Sequence, residues 1–412
     1  MSRTRSRIAA SVVSAFTSLA LIAPLPAAAE PSPPPQAGWV GSWHAAMTGP
    51  ARSGPSLDGF TDTTLRQVAH LSVGGDSVRV RLSNAYGQSP LVVGSVTVAP
   101  RPDSGAGTPD VDAGALVPVT FGGRTSVTVP AGADWVSDPV NVTVPDDSDL
   151  AVSLYLPGPT GPATFHARGY ATSFTATGDA TTDPGAAFTA LDTSRYFLSG
   201  VDVTARAKGS VVFFGDSITD GVVSSVDANL RYPDQVADRL LERPEPQECG
   251  VLNSGISGNR LLTDAGSSGD SALSRFERDV VSRQGVRSVV LLEGINDIGG
   301  SRGAVEPEQL IAVYRQFIAR AHDAGIEVIG ATLTPFEGAG YYTEAGEADR
   351  QAVNEWIRTS GEFDAVVDLD AAVRDPEHPT RFLPAYDIGD HLHPNDAGFA
   401  AMAEAIDLRT IC

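Results

Sequence analysis

Apolar and polar residues alternate in short runs from Trp39 to about Ala205, the period of strands with one buried face. The run Leu65-Arg66-Gln67-Val68-Ala69-His70-Leu71-Ser72-Val73 meets Gly74-Gly75-Asp76 and resumes as Val78-Arg79-Val80-Arg81-Leu82, which predicts a hairpin. Further runs follow at Leu91 to Val98, Leu116 to Phe121, Ser126 to Val129, Val140 to Val144 and Leu150 to Leu156, with Gly, Pro and Asp between them. Short strands so closely spaced predict an all-β, sandwich-like domain over 39–205.

Near Val201 to Lys208 the period changes. Strands then alternate with helices: Val211–Phe214, a helix from Pro233 carrying Val236, Ala237, Leu240 and Leu241, Val251–Asn253, and a helix around Leu273 to Val281. Ser288–Leu292 precedes a helix opened by Pro307, with Leu310, Ile311, Tyr314, Phe317, Ile318 and Ala321 at helical spacing and Gly325 beyond its end. Ile326–Leu333, a helix near Arg350–Thr359, Ala365–Leu369 and a helix after Pro394 complete the pattern. Five strand–helix units predict an α/β domain over 206–412, a five-stranded parallel sheet in a three-layer α/β/α arrangement.

Outside this pattern lie the first residues. Arg3, Arg5 and Arg7, the apolar stretch Ile8 to Leu25 and Ala27-Ala28-Ala29 have the three parts of a secretory signal over 1–29, and four prolines between Pro31 and Gly38 mark a linker over 30–38. The expectation is a secreted, extracellular protein without a stable membrane anchor once the signal is removed. Removal takes three arginines and no acid, so the net charge moves from −21 to −24. Such a surface repels phosphate backbones and anionic lipid headgroups, which argues against a nucleic-acid partner. Cys249 and Cys412 are the only cysteines, and in an oxidising compartment they are expected to form a disulfide.

Four motifs follow predicted strands, at one edge of the predicted sheet. They are Gly215-Asp216-Ser217; Asn253-Ser254-Gly255-Ile256-Ser257-Gly258-Asn259; Gly294-Ile295-Asn296-Asp297; and Asp390-His391-Leu392-His393-Pro394. A serine needs a base within hydrogen-bond reach and a third group to orient that base. Asp390 and His393 supply such a pair on one loop, although Asp387 also precedes His393 closely. Glycine in the second motif brings backbone N–H groups near a ligand, Gly258 or its competitor Gly255, and Asn296 is an amide donor for a developing oxyanion.

In order and spacing these motifs resemble the SGNH, or GDSL-type, serine hydrolases over about residues 209–412. The pairing with an amino-terminal segment beginning Trp39-Val40-Gly41-Ser42-Trp43 is also similar to secreted actinobacterial members grouped with xylan-acting esterases. The resemblance implies Ser217 as nucleophile, His393 as base, Asp390 as its partner, and an oxyanion hole from Ser217, Gly258 and Asn296, with no cofactor or metal. The implied substrate is a carboxylic ester, acetyl on a polysaccharide such as xylan, with a lipase or phospholipase as the alternative.

Phe336, Tyr341 and Tyr342, in a Gly-rich loop on the same edge, are candidates to flank a sugar ring or acyl chain. Two further alternatives remain. His391 and His393 with Asp387, Asp390 and Asp396 have donor types that suit zinc and a metallohydrolase, and the β-domain has the form of a carbohydrate-binding module with hydrolysis secondary. The remaining histidines are scattered; His166 lies in an irregular Gly/Thr-rich segment that could approach the site.

Overall fold

The computed structural model describes residues 38–101, 107–243, 248–301 and 304–412. The expected signal segment and nearly all of the expected linker lie outside the described residues, and Gly38 already opens the first strand.

Strands Cys249–Gly255, Gly209–Gly215, Val286–Leu292, Glu327–Ala331 and Ala365–Val367 lie side by side in that order, every pair parallel. The first two of these strands in chain order are buried along their whole length, as strands of a sheet covered by helices are. The order places the second strand on one side of the first and the third on the other. At that reversal the connections leave in opposite directions, and the carboxyl ends of the first and third strands are where open α/β sheets place their ligands. Ser217 follows the first of these and Asn296 the third.

The flanking helices begin where their sequences allow. Pro233 lies in the first turn of Tyr232–Leu241, where Asp234 accepts from Arg231 N–H at 3.2 Å and Val236, Ala237 and Leu240 are buried. Pro307 opens Pro307–Asp323 in the same way, with Leu310, Val313, Tyr314, Phe317, Ile318 and Ala321 inward. The helix expected around Leu273 to Val281 is Ala272–Phe276 continued by one wider π-type turn over Glu277–Val281. A disulfide joins Cys249 to Cys412 and ties the chain's end to the second strand.

Residues 38–205 form antiparallel sheets. One has the order Gly38–His44, Leu198–Ala205, Gly75–Ser83, Asp134–Val136, with Val140–Val144 also on Gly75–Ser83. A second large sheet runs Thr189–Asp192, Ser173–Thr177, Thr63–Leu71, Ser148–Leu156, Ser95–Pro100, Val117–Pro118. The two share one core: Val78, Val80, Val201 and Val203 meet Leu65, Ala69, Leu150 and Val152.

The expected hairpin across Gly74-Gly75 does not form. Thr63–Leu71 and Gly75–Ser83 belong to opposite sheets, so the glycine pair carries the chain across the sandwich. A side chain at Gly74 would meet the backbone of Val144 and Pro145, and one at Gly75 that of Thr204, so only glycine fits this crossing. Likewise Gly94 splits the expected Leu91 to Val98 strand into Leu91–Val93 and Ser95–Pro100, which pair in different sheets.

The described residues from Gly38 to Cys412 form one compact unit. Gly41 N–H donates to Gln284 O at 2.9 Å, Ser210 Oγ to Gly41 O at 3.0 Å, and Val251 N–H to Ser72 Oγ at 2.8 Å. A Cβ on Gly250 would lie 1.9 Å from Gly41 O, so glycine lets the two backbones approach.

Candidate active site

The first strand ends at Gly215, where a Cβ would lie 2.2 Å from Leu292 O, and the chain turns into the four-residue helix Ser217–Asp220. Asp216 caps that helix by accepting from Ile218 N–H at 2.9 Å, and Gly221, at φ 86°, ends it. Ser217 is 6% exposed.

The loop before the last long helix brings His393 to it. His393 Nε2 lies 2.9 Å from Ser217 Oγ, and His393 Nδ1 lies 2.6 Å from Asp390 Oδ2. Asp390 Oδ1 accepts from the backbone N–H groups of Leu392 and His393, both at 2.9 Å. Partial burial opposes the Asp390 charge. The bonds from the His393 ring and from the two backbone groups outweigh it and hold the carboxyl below its ordinary range. Asp387 instead partners His391, with Oδ2 2.7 Å from Nδ1. Of the two candidate carboxylates, Asp390 is therefore the one on His393.

The second motif wraps the nucleophile helix. Asn253 donates through Nδ2 to Thr219 O at 2.7 Å and accepts from Gly255 N–H at 2.9 Å. Gly255 ends the strand against the helix, where a Cβ would lie 2.1 Å from Asp220 N. Its glycine serves close packing. Gly258 sits farther along, partly buried at φ 76°, where a Cβ would lie 2.6 Å from Ser268 Oγ. Asn296, just after the third strand, donates through Nδ2 to Asn259 O at 3.0 Å and lies 3.4 Å from Asp216 Oδ2. The structure thus brings Ser217, Asn296 and the Gly258 loop to one sheet edge.

Beneath these groups is a layer of buried charge that the motifs did not reveal. Arg275, wholly buried, donates to Asn259 Oδ1 at 2.9 Å, Ser254 O at 2.8 Å and Gly215 O at 2.9 Å, so one guanidinium ties the first strand to the second motif. Burial pushes the Asp216 carboxyl up to about 7; Asp297 and Asp220 push the same way, against the Ile218 N–H bond and Arg275. Burial and the Asp216 charge also hold Glu293 well above its ordinary value, against the pull of Arg275. Asp297 accepts from Leu261 N–H at 2.8 Å and Leu262 N–H at 3.0 Å, and burial outweighs those bonds to raise its value.

The aromatic expectation is corrected in part. Phe336 is fully buried beneath Tyr341 and Tyr342, at 6.1 and 5.1 Å between ring centroids, and offers no face to a substrate. Tyr341 reaches the site, with Oη 3.3 Å from Asn296 Oδ1, and burial raises its hydroxyl's pKa. Tyr342 remains partly exposed. The five residues named as a zinc set are also dispersed: His391 bonds Asp387, His393 bonds Asp390, and Asp396 accepts from Ser225 Oγ at 2.6 Å. Among the described residues no group of three or more His, Cys, Asp or Glu is arranged to hold a metal ion.

Residues 213–401 match the model of the GDSL-like lipase/acylhydrolase family. This part of the chain is a GDSL-like acylhydrolase domain. The protein is accordingly a hydrolase acting on esters. No curated protein matches the chain. Solved structures similar to the acylhydrolase domain include a GDSL-like lipase from Bacteroides thetaiotaomicron, 22% identical, covering 49% of this chain and 87% of that one, TM-score 0.37. Another is an acetylxylan esterase from Geobacillus stearothermophilus, 22% identical, covering 49% of this chain and 93% of that one, TM-score 0.38.

Proposed function

We propose that the protein is a secreted serine esterase that removes acetyl groups from a polysaccharide such as xylan through an acyl-enzyme on Ser217. The carrying observation is the hydrogen-bonded series Ser217 Oγ, His393 Nε2, His393 Nδ1, Asp390 Oδ2, with spacings of 2.9 and 2.6 Å. Ser217 Oγ attacks the ester carbonyl while His393 Nε2 takes its proton, and Asp390 stabilises the imidazolium. The oxyanion is met by the backbone N–H groups of Ser217 and Gly258 and by the Asn296 amide. His393 returns the proton to the leaving alcohol. Water, deprotonated in turn by His393, then releases acetate and restores Ser217.

A small acyl group is supported by the recessed Ser217 and by the partly buried Tyr341, whose Oη lies 3.3 Å from Asn296 Oδ1. The acidic surface disfavours anionic lipid, and among the described residues no helix is long and apolar enough to cross a membrane. Secretion rests on the sequence of 1–29. A second reading, a lipase of the same family, draws on exposed Val223, Val226 and Ile388, which follow the nucleophile helix or lie on the histidine loop.

The test is hydrolysis of p-nitrophenyl esters of two, four, eight and sixteen carbons by the mature protein and by Ser217→Ala, with a chelator control. Activity confined to acetate and absent from the variant is the expected outcome. A preference for long chains would move the assignment to lipid, and activity that survives Ser217→Ala but not the chelator would overturn the serine mechanism.

A further inference from the structure

The β part reaches the nucleophile helix through a buried histidine. His166 lies on the short strand Phe165–His166, which pairs with Arg195–Tyr196 and is braced by Thr48, whose N–H donates to Phe165 O at 2.7 Å. His166 is 5% exposed; its Nδ1 lies 2.8 Å from Ala46 O and its Nε2 3.1 Å from Asp220 Oδ1. Asp220, 2% exposed, is the last residue of the helix that begins with Ser217. Its other oxygen accepts from Ser257 N–H at 2.9 Å and Ser257 Oγ at 2.5 Å. Ser257 immediately precedes Gly258. One carboxylate therefore joins the nucleophile helix to the loop whose next N–H faces the oxyanion in the proposed mechanism.

We propose that His166 is a positioning residue for acyl transfer, acting through Asp220 to hold the Ser257–Gly258 backbone at the distance the oxyanion requires. The inference rests on the serine-esterase reading above. A buried carboxylate needs a partner for each oxygen, and Ser257 satisfies only Oδ2. His166 Nε2 faces Oδ1 at 3.1 Å from a rigid strand pair, which holds Asp220 toward Ser257. The same loop is tied to the β part a second time, where Tyr86 Oη donates to Asp270 Oδ2 at 2.7 Å and Asn259 Nδ2 donates to Asp270 O at 2.8 Å. Removing His166 thus leaves the loop attached and releases its register at Gly258.

The deciding experiment compares kcat and KM for p-nitrophenyl acetate in the mature full-length protein, His166→Ala, His166→Gln, Asp220→Asn and Ser217→Ala, with melting curves for each. Loss of one oxyanion donor costs about 10²–10³ in turnover, and a displaced donor should cost less. His166→Ala is expected to lose about 10- to 100-fold in kcat with KM within about twofold. His166→Gln, whose amide N–H sits near the Nε2 position, should recover most of that loss. Asp220→Asn should reproduce the loss, and decides the matter if His166→Ala does not fold. Unchanged kcat in the folded variants, or a loss that follows the melting temperature and is not restored in His166→Gln, would overturn the inference. If Ser217→Ala is inactive and His166→Ala is not impaired, only the positioning role fails; if Ser217→Ala remains active, the serine reading fails first.

Discussion

Two aspartate–histidine pairs stand on one loop of the acylhydrolase domain, built alike and placed differently. Asp387 accepts from the N–H groups of Gly389 and His391 and bonds the His391 ring; Asp390 accepts from those of Leu392 and His393 and bonds the His393 ring. Their exposures are inverted. The His391 side chain is 52% exposed over an Asp387 that is 9% exposed, whereas the His393 side chain is 15% exposed with Asp390 at 41%. His391 takes φ 64° and packs against Gly338. His393 faces Ser217. An acid–histidine pair is therefore cheap for a loop to form, and what distinguishes one is the third group that its ring meets.

The largest expected effect sharpens that contrast. His393→Ala should lower kcat by about 10⁴ or more on p-nitrophenyl acetate, while His391→Ala stays within about threefold. Comparable losses in both would break the comparison and return the His391 pair to the chemistry. Next is the group that meets the oxyanion rather than the base: steady-state kinetics of Asn296→Ala should show a fall of about 10²–10³ in kcat with little change in KM. A variant that changed only KM would make Asn296 a ground-state contact.

The smallest effect lies beneath both pairs, at Asp216. Its folded value, about 7, is above the ordinary carboxylate value, so the folded state holds the extra proton between roughly pH 4 and pH 7. Stability from this group is present below that window and lost as pH rises through it. Asp216→Asn keeps an acceptor for Ile218 N–H and removes the charge. Its melting temperature should match the parent near pH 4 and exceed it increasingly up to pH 7, levelling off above; a gap that does not vary with pH would mean that Asp216 ionises like an exposed carboxyl.

The α/β half was legible because its signals are local. Pro233 and Pro307 open helices where proline fits, and the unbroken apolar runs Val211–Phe214 and Val289–Leu292 form strands of a sheet covered by helices. The β half was legible as strands and misread as pairings. The Gly74-Gly75 turn looks like a hairpin because nothing local says that Thr63–Leu71 will bond Ser148–Leu156 instead, some eighty positions away.

By itself, the sequence determined the fold class, the four motifs at one sheet edge, and two cysteines free to pair, since each depends on residues a few positions apart or on composition. Tertiary structure alone decided the partners. It set Asp390 rather than Asp387 on His393, made Gly255 a packing glycine and left Gly258 in the loop, buried Phe336 while Tyr341 reached Asn296, and carried His166 from a distant strand onto Asp220. Motif chemistry is written along the chain, but hydrogen-bond partners are chosen by which elements the packed sheets bring within about 3 Å.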